Sequence, residues 1–406
     1  MTILPLYNCV CCTSTDLHLV LDLGSQSLAN NLKQTNNETQ AEYPLAINVC
    51  SNCFHVQLTH AVDPKLMFEN YLYVSGTTKT LQQYFDWFAN YIVEDCYPKK
   101  VLDIGCNDGT QLDYFKKHKI QTFGIDPAQN LVNIAREKGH TIENAFIDAN
   151  YNTNNQMYDC IIAQNVFAHN SNPYEFLLKC ENMLSPEGTL YIQVSQVDMI
   201  ERNEFDTIYH EHISFFNINS MNTLIGRTKT LYLVDVIKVP IHGNSYIFGI
   251  KKTPRNYYRI SNLLKMEQES GLYSLETYTK YKENVYQIKN SFYYTLFKHC
   301  FEMKQPKCKI VGYGAAAKGM TFLNFMNLNK MEYIIDDNVL KQGKYATKNN
   351  IPILSIDELQ KEDPTTTIIF IPLAWNFFTE IKDRIKKVRN NPNDKFIKYF
   401  PTVEII

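Results

Sequence analysis

The chain has only two tryptophans, no long apolar run and almost no net charge. Its 40 lysines and arginines balance 42 acidic residues, and no basic run stands out, so a nucleic-acid partner is not expected. No apolar stretch approaches the length of a membrane span, and the start "MTILPLYN" lacks the charged and apolar regions of a secretory signal. We therefore expect a cytoplasmic protein without a membrane partner.

The bulk composition is that of a folded, multidomain protein. A length of 406 residues favours two or three domains over a single core. Hydrophobic residues make up 45% of the chain and charged residues 20%, which is typical of globular proteins. Eleven cysteines in a cytoplasmic chain indicate thiols and a metal site and argue against a disulfide framework.

Two Cys-x-x-Cys pairs stand about forty residues apart in the N-terminal segment. They are Cys9 with Cys12 and Cys50 with Cys53, and Cys11 is left over. Two such pairs close a tetrahedral thiolate site around zinc, and four thiolates leave the metal no open position for chemistry. We predict a structural zinc site that so short and polar a segment needs in order to fold. The alternative is a set of unpaired core cysteines.

A strand, a glycine turn, a helix and a second strand follow one another from residue 100 to residue 126. The turn is the "GCND" that begins at Gly105, and the second strand ends at Asp126. Glycines let the backbone approach a ligand, and an acid about twenty residues on accepts ribose hydroxyls. Asn107 stands where a second glycine would be, and asparagine tolerates positive φ. The turn favours a sulfonium nucleoside over a dinucleotide, because a sulfonium nucleoside has no pyrophosphate group that the backbone must approach closely.

The densest group of proton-transfer side chains is the hexapeptide "TIYHEH", which ends in Tyr209, His210, Glu211 and His212. Histidine titrates nearest neutral pH, and tyrosine and glutamate can orient it or share its proton, as enolisation of a carbonyl compound requires. If the segment were extended, the two histidines would share one face. The alternatives are a metal-binding His-x-His and a polar strand edge.

A second α/β unit begins near residue 308, after a long, tyrosine-rich helical connection predicted for residues 256–299. Its "GYGAAAKG" turn starts at Gly312 and its next strand ends at Asp336. Taken alone this pattern would suggest a nicotinamide dinucleotide, but Ala317 replaces the third glycine of that fingerprint. Lys318 is either a phosphate contact at a helix N-terminus or a solvated residue.

The order of these parts resembles one family, the C-methyltransferases of nucleotide-linked deoxysugars, such as the enzyme of tetronitrose biosynthesis. "VLDIGCNDG" and "GIDPA" resemble class I S-adenosylmethionine (SAM) methyltransferases, and "TIYHEH" and "GYGAAAKG" extend the similarity over nearly the whole chain. The resemblance implies an α/β fold class. It divides the chain into a zinc-binding domain at 1–66, a Rossmann-like methyltransferase domain at 67–254, and a helical connection with a second Rossmann-like α/β domain at 255–406.

The resemblance also implies roles for individual residues, with zinc and SAM as cofactors. His212 would be the general base, helped by Tyr209, Glu211, His169 and a lid tyrosine that is either Tyr71 or Tyr73. The four cysteines of the two pairs would hold zinc. Seven residues would line SAM: Gly105, Asn107, Asp126, Pro127, Ala145, Phe146 and Asn165. Five would contact the substrate: Tyr71, His210, Gly314, Lys318 and Asp337.

The implied substrate is a nucleotide-linked 4-keto sugar, whose C3 proton His212 would remove so that the enolate carbon can accept a methyl group. We expect a monomer or weak dimer. The chain departs from the family at "HGNSYI" after residue 241, which lacks a glycine and an arginine of relatives, and at Phe215-Phe216, where relatives carry an aromatic hydroxyl. The rival interpretations are an O- or N-methyltransferase, a nicotinamide-dependent sugar reductase or epimerase, and a non-catalytic nucleotide-sugar binding protein.

Overall fold

A computed structural model describes residues 2–69, 71, 74–77, 79–195, 198–302 and 308–406. These residues form two compact units. Unit 1 contains Met1–Leu19, Asn48–Val197 and Glu211–Leu275, and unit 2 contains Val20–Ile47, Asp198–His210 and Glu276–Ile406. Each unit is thus assembled from three separate stretches of chain, whereas the family resemblance implies three consecutive domains.

The strands and helices up to residue 251 are, in chain order, β1 (Ile3–Pro5), β2 (Leu17–Ser27), β3 (Glu42–Cys50), β4 (Val56–Leu58), β5 (His60–Val62), α1 (Lys65–Phe68), α2 (Lys79–Cys96), β6 (Lys100–Ile104), α3 (Thr110–Lys117), β7 (Gln121–Asp126), α4 (Gln129–Glu137), β8 (Thr141–Asn144), β9 (Tyr158–Gln164), α5 (Pro173–Met183), β10 (Leu184–Ser195), α6 (Met199–Arg202), β11 (Ser214–Phe215), α7 (Ile218–Gly226), β12 (Tyr232–Val239) and β13 (Ser245–Lys251).

The remaining elements are α8 (Tyr257–Glu269), α9 (Leu275–Phe297), β14 (Cys308–Tyr313), α10 (Ala317–Phe325), β15 (Tyr333–Ile335), β16 (Ile353–Leu354), β17 (Thr367–Pro372), α11 (Phe378–Val388), β18 (Lys395–Lys398) and β19 (Glu404–Ile405). Short 3-10 turns occur at Ser75–Thr77, Phe167–His169, Phe205–Thr207, Ile356–Lys361 and Trp375–Phe377. None of the helices in the described ranges is long and apolar enough to cross a membrane.

The core of unit 1 is a seven-stranded sheet with the order β12-β13-β10-β9-β6-β7-β8. Its strands are parallel except β13, which pairs antiparallel with both of its neighbours. Strands β6 and β9 and the second half of β10 are almost wholly buried, as expected where helices cover both faces of a parallel sheet. The order reverses between β6 and β9, so their carboxyl ends open a crevice in which ligands of such sheets bind.

Unit 2 contains a second, mostly parallel sheet with the order β16-β15-β14-β17-β18-β19. Only β19 runs antiparallel to its neighbour. Val311, Phe370 and Phe396 contribute to its buried core. The N-terminal strands form a β1-β5 pair and, together with β11, a four-stranded sheet in the order β11-β4-β3-β2.

The predicted α/β fold class is confirmed, and most predicted elements lie within a few residues of the observed ones. The predicted helical connection at 256–299 is confirmed, and it consists of two helices because the chain turns after α8 at Gly271, which has a φ of +90°. One local prediction was wrong. The turn predicted at Ser185–Gly188 lies inside β10, where the pairing with β9 shifts register between Leu184 and Thr189.

Candidate active site

The four predicted zinc ligands lie together in unit 1. One ligand atom from each of Cys9, Cys12, Cys50 and Cys53 falls within 4.8 Å of the others. Sulfurs at about 2.3 Å from a tetrahedral zinc ion are about 3.8 Å apart, and the Cys9–Cys53 and Cys12–Cys50 sulfur pairs are 3.5 Å apart. The donor set and its spacing therefore fit zinc.

The two cysteine knuckles have the same local shape. The amide of Thr13 donates to the carbonyl of Cys9 at 2.9 Å, and the amide of Phe54 donates to the carbonyl of Cys50 at 2.9 Å. Thr13 and Phe54, each following the second cysteine of its pair, have φ values of 65° and 55°. The left-handed residue closes each turn so that both sulfurs of the pair point to the same side.

The knuckles are bound to the segment that follows the Tyr-His-Glu-His motif. Strand β11 pairs antiparallel with β4, and the amide of Leu58 donates to the carbonyl of Ile213 at 2.8 Å. The Asn219 side chain donates to the carbonyl of Cys53 at 3.0 Å. The zinc module thus holds the chain directly after His212.

Buried His55 reinforces this link and was not singled out from the sequence. Its Nε2 lies 3.2 Å from the Ser214 hydroxyl, and its ring packs against Phe216 at 4.8 Å. Burial lowers the pKa of His55 to about 4, so the ring is neutral at physiological pH. Only its position two residues after the second knuckle would have pointed to it.

The predicted nucleoside turn has the required backbone. Gly105 and Asn107 have φ values of 72° and 52°. A Cβ added at Gly105 would lie 2.2 Å from a methyl carbon of Val166, so no side chain fits there. The positive φ of Asn107 confirms that asparagine can replace the second glycine.

Asp126 joins the turn to the end of β8. Its carboxylate accepts from the amide of Asn107 at 2.8 Å and from the amide of Ala128 at 2.8 Å. The amide of Ala145 donates to the carbonyl of Asp126 at 3.2 Å. Gly105, Asn107, Asp126, Pro127 and Ala145, with the adjoining half-buried Phe146, therefore surround one end of the crevice.

Three buried polar atoms at the carboxyl ends of β6 and β9 have no hydrogen-bond partner among the described residues. They are Asp103 Oδ1, Gln164 Oε1 and Asn165 Oδ1. Burial raises the pKa of Asp103, and the nearby Asp126 raises it further. Leaving such groups unpaired is costly, so acceptors here fit a polar ligand such as the methionine portion of a sulfonium nucleoside. Asp103 and Gln164 were missed from the sequence, although Asp103 belongs to the quoted motif.

The segment before α2 lies on this turn. The amide of Ser75 donates to the side-chain oxygen of Asn107 at 3.0 Å. A Cβ at Gly76 would come within 2.5 Å of the Thr110 hydroxyl, so glycine permits the close approach. These contacts agree with a covering loop over the cofactor turn.

The proposed base lies in a stack of rings in unit 1. His212 is 6% exposed, and its ring stacks on His169 with centroids 5.3 Å apart. Phe68 also stacks on His169, with ring centroids 5.3 Å apart. Burial lowers the pKa of His169 to about 4. His169 is thus a neutral donor or acceptor whose ring stacks with two others, and Phe68 was missed because aromatics are abundant throughout the chain.

Glu211 and Tyr71 are brought together beside this stack. The Tyr71 hydroxyl donates to Glu211 Oε2 at 3.2 Å, and the Asn130 side chain donates to the carbonyl of Tyr71 at 2.9 Å. Tyr71 therefore links the motif to α4, which follows Asp126. Tyr73, the other predicted lid tyrosine, lies outside the described residues.

The motif is not an extended segment, since its backbone turns at His210 and Glu211. His210 is 1% exposed in unit 2, where its Nε2 lies 3.3 Å from the carbonyl of Tyr43. Burial lowers its pKa to about 4. Tyr209 is half-buried in the same unit. The two histidines therefore do not share one face, as an extended strand would have required.

The other predicted substrate residues belong to unit 2. Gly314 has a φ of 95°, and the amide of Ala315 beside it donates to Asp336 at 2.7 Å. Asp337 accepts from the Tyr313 hydroxyl at 3.0 Å and pairs with Arg384 at 3.0 Å. The Lys318 ammonium lies over the Trp375 ring, 5.2 Å from its centroid. Their substrate contacts remain a prediction.

Family models match three successive parts of the chain. A zinc binding domain matches residues 9–68, a methyltransferase domain matches 78–228, and a C-methyltransferase C-terminal domain matches 240–401. The C-methyltransferase NovU of Streptomyces niveus is 28% identical over 417 aligned residues, which cover 99% of this chain and 97% of that protein.

Two more distant similarities cover smaller shares of the chain. A ubiquinone biosynthesis O-methyltransferase of Aliivibrio fischeri is 25% identical over 29% of this chain and 54% of its own length. The structure of the plantazolicin methyltransferase BpumL with SAH has 18% identity and a TM-score of 0.34, covering 41% of this chain and 82% of that one.

The sheet order, the glycine turn and the thiol cluster define a SAM-dependent methyltransferase with a zinc-binding module. Both predicted cofactors are thereby confirmed. The chain is similar to C-methyltransferases over nearly its whole length, because zinc-binding, methyltransferase and C-methyltransferase C-terminal domains follow one another along it and NovU aligns over 99% of it.

Proposed function

We propose that this C-methyltransferase acts on a nucleotide-linked 4-keto sugar and methylates C3 through an enolate. The observation that supports this most is the stack of Phe68, His169 and His212, with the Tyr71–Glu211 bond beside it. All of these groups belong to the unit that carries the cofactor turn. A carbon that bears only hydrogen is not a nucleophile until a base removes a proton next to a carbonyl group.

In the proposed reaction His212 takes the C3 proton, and Glu211 keeps the imidazole oriented. His169 is neutral at physiological pH, so it can donate one N–H to the developing oxyanion, a role open also to Tyr209. SAM, when bound by the residues around Asp126, supplies the electrophilic methyl group that the enolate carbon accepts. The ring contacts orient both imidazoles, and His212 is only 6% exposed.

The decisive experiment separates enolisation from methyl transfer. We expect the enzyme in D2O, without SAM, to exchange the C3 hydrogen of a suitable dTDP- or GDP-linked 4-keto sugar, and with SAM to add one methylene mass. Methylation at an oxygen or nitrogen atom, with no exchange at carbon, would contradict the enolate. A keto-sugar panel followed by NMR and mass spectrometry distinguishes these results and identifies the nucleotide.

Asp126 offers a test of the cofactor site. We expect Asp126→Asn to raise the dissociation constant of SAM about tenfold to a hundredfold, since it removes a charged acceptor and loosens the turn at Asn107. Isothermal titration calorimetry measures the change. Asp86→Asn, which removes an exposed acid on α2 paired with Lys117, should leave SAM affinity unchanged. Equal affinities of the wild type and Asp126→Asn would refute this assignment.

A further inference from the structure

A group of buried polar side chains in unit 2 has no part in the mechanism above. Asp206 has an exposed fraction of 0%, Glu204 of 2% and Tyr281 of 1%. Together with Lys318, Trp375 and Tyr399 they form what we call the Asp206 cluster. Its members come from five places in the chain, namely the turn before the Tyr-His-Glu-His motif, α9, α10, the 3-10 turn Trp375–Phe377 and the residue after β18.

The hydrogen bonds of the cluster are incomplete. Trp375 Nε1 donates to Asp206 Oδ2 at 2.7 Å, and the Lys318 ammonium lies over the same indole ring. Asp206 Oδ1, Lys318 Nζ and the Tyr281 hydroxyl are buried and have no hydrogen-bond partner within the part of the chain that the structure describes. Unpaired buried groups cost stability, which indicates a role other than packing.

Asp206 belongs to a turn that is anchored on both sides. The ring of Phe205 packs against Phe325 at 5.1 Å and against Phe400 at 5.3 Å. The Thr207 hydroxyl donates to the carbonyl of Glu204 at 2.9 Å, and the amide of Ile208 donates to the carbonyl of Phe205 at 3.1 Å. The next residue along the chain is Tyr209.

We propose that Asp206 is a positioning residue for the proposed methyl transfer: its carboxyl group, held by Trp375 and facing Lys318, fixes the turn Phe205–Thr207 and with it the placement of Tyr209. This proposal rests on the proposed function as far as Tyr209 is concerned. The interaction of Asp206 with Trp375 and Lys318 does not depend on that function and can be measured without a substrate.

Electrostatics support a carboxyl group that changes charge near neutrality. Burial raises the pKa of Asp206 to about 7, against the opposing effects of Lys318 and the Trp375 hydrogen bond, while Glu204 raises it further. Burial also raises the pKa values of Glu204, Tyr281 and Tyr399, so both tyrosines stay neutral. Lys318 is therefore the cation that faces Asp206 in this cluster.

The sign of the linkage follows from the raised pKa. Between the ordinary carboxyl pKa near 4 and about 7, the folded protein binds a proton that the unfolded chain has released. Asp206 therefore makes the free energy of unfolding fall as pH rises through this window and contributes no further slope above it. Asp206→Asn should remove this part of the pH dependence.

Trp375 is a spectroscopic reporter of Asp206, because the chain has only two tryptophans. In a Trp87→Phe background the emission of Trp375 should titrate with a midpoint near pH 7, as the pKa of Asp206 is raised to about 7. The signal should not titrate in Trp87→Phe with Asp206→Asn. With Lys318→Met the midpoint should rise by about one pH unit, because the attracting ammonium is removed. The proposal is overturned if Trp375 emission in the Trp87→Phe protein does not change with pH, or if Lys318→Met leaves the midpoint of that titration unchanged.

Kinetics test the positioning of Tyr209. We expect Asp206→Asn to lower kcat about tenfold while the KM for SAM stays unchanged, and Asp206→Glu to restore part of the loss. Asp394→Asn is the matched control, since it removes another buried acid of unit 2, paired with Arg389 at 2.9 Å, and should lower stability without lowering kcat. An unchanged kcat in Asp206→Asn refutes the positioning role.

Absence of turnover in the wild type refutes the proposed function alone, because the Trp375 titration would persist.

Discussion

Replacing His212 by alanine should lower kcat for methyl transfer about a thousandfold, the range typical of a lost general base. His212 is 6% exposed and its ring stacks on His169, and alanine offers no proton acceptor in its place. Because His212 does not belong to the Asp126 turn, SAM affinity should stay near that of the wild type. Hydrogen exchange at C3 without SAM should disappear together with turnover.

One measurement and two control variants distinguish this result from misfolding. Calorimetry with SAM shows whether the cofactor turn is intact. His212→Gln keeps a polar side chain of similar size, and His118→Ala removes an exposed histidine of the same unit. We expect His118→Ala to be fully active. A His212→Ala protein that binds SAM and transfers methyl at the wild-type rate would exclude His212 as the base, and His169 would then be the next imidazole to test.

Loss of one zinc ligand should have the second large effect. Cys53→Ser should release zinc, lower the unfolding temperature and abolish methyl transfer, because a structural zinc site contributes on the order of 10 kcal/mol to folding. The effect reaches the motif through β4 and β11 and through the bond from Asn219 to the carbonyl of Cys53. Metal analysis, thermal unfolding and activity are measured on the same preparation.

Cys11 provides the matched control for zinc. Cys11 lies between Cys9 and Cys12 in the sequence and is buried, but it does not belong to the group of four ligand residues. Cys11→Ala should therefore keep one zinc ion for each chain and keep most of the activity. If Cys53→Ser retained zinc and activity, or if Cys11→Ala lost the metal, the assignment of the four ligands would be wrong.

The structure shows the surroundings of the two places where the sequence departs from the family pattern, Phe215-Phe216 and the "HGNSYI" loop. Phe215 presents its ring edge-on to His212 at 6.1 Å, and Phe216 packs against His55 and Phe167. Both rings are buried, so a hydroxyl at either position would need a partner. The "HGNSYI" loop contains His242, Gly243 and Asn244, all with positive φ. We expect the missing arginine to affect the identity of the substrate more than the proposed proton transfer at His212.

Local patterns in the sequence were enough to determine the α/β fold class, the four zinc ligands and the nucleoside turn. Each of these depends on residues close together in the chain: a knuckle is four residues long, and the turn from Gly105 to Asn107 depends on which residues tolerate positive φ. Apolar runs likewise predict buried parallel strands wherever they occur. The family resemblance added the proposed role of His212, which spacing alone left open.

Only the tertiary structure decided which distant residues meet. Phe68, His169 and His212 are far apart in the chain, yet their rings stack. His210 and His212 are two residues apart, yet one packs on Tyr43 and the other on His169. Asp206 and Trp375, separated by 169 positions, share a hydrogen bond. Such pairings depend on long-range packing of buried surfaces, because local periodicity carries no information about which element will cover a given side chain.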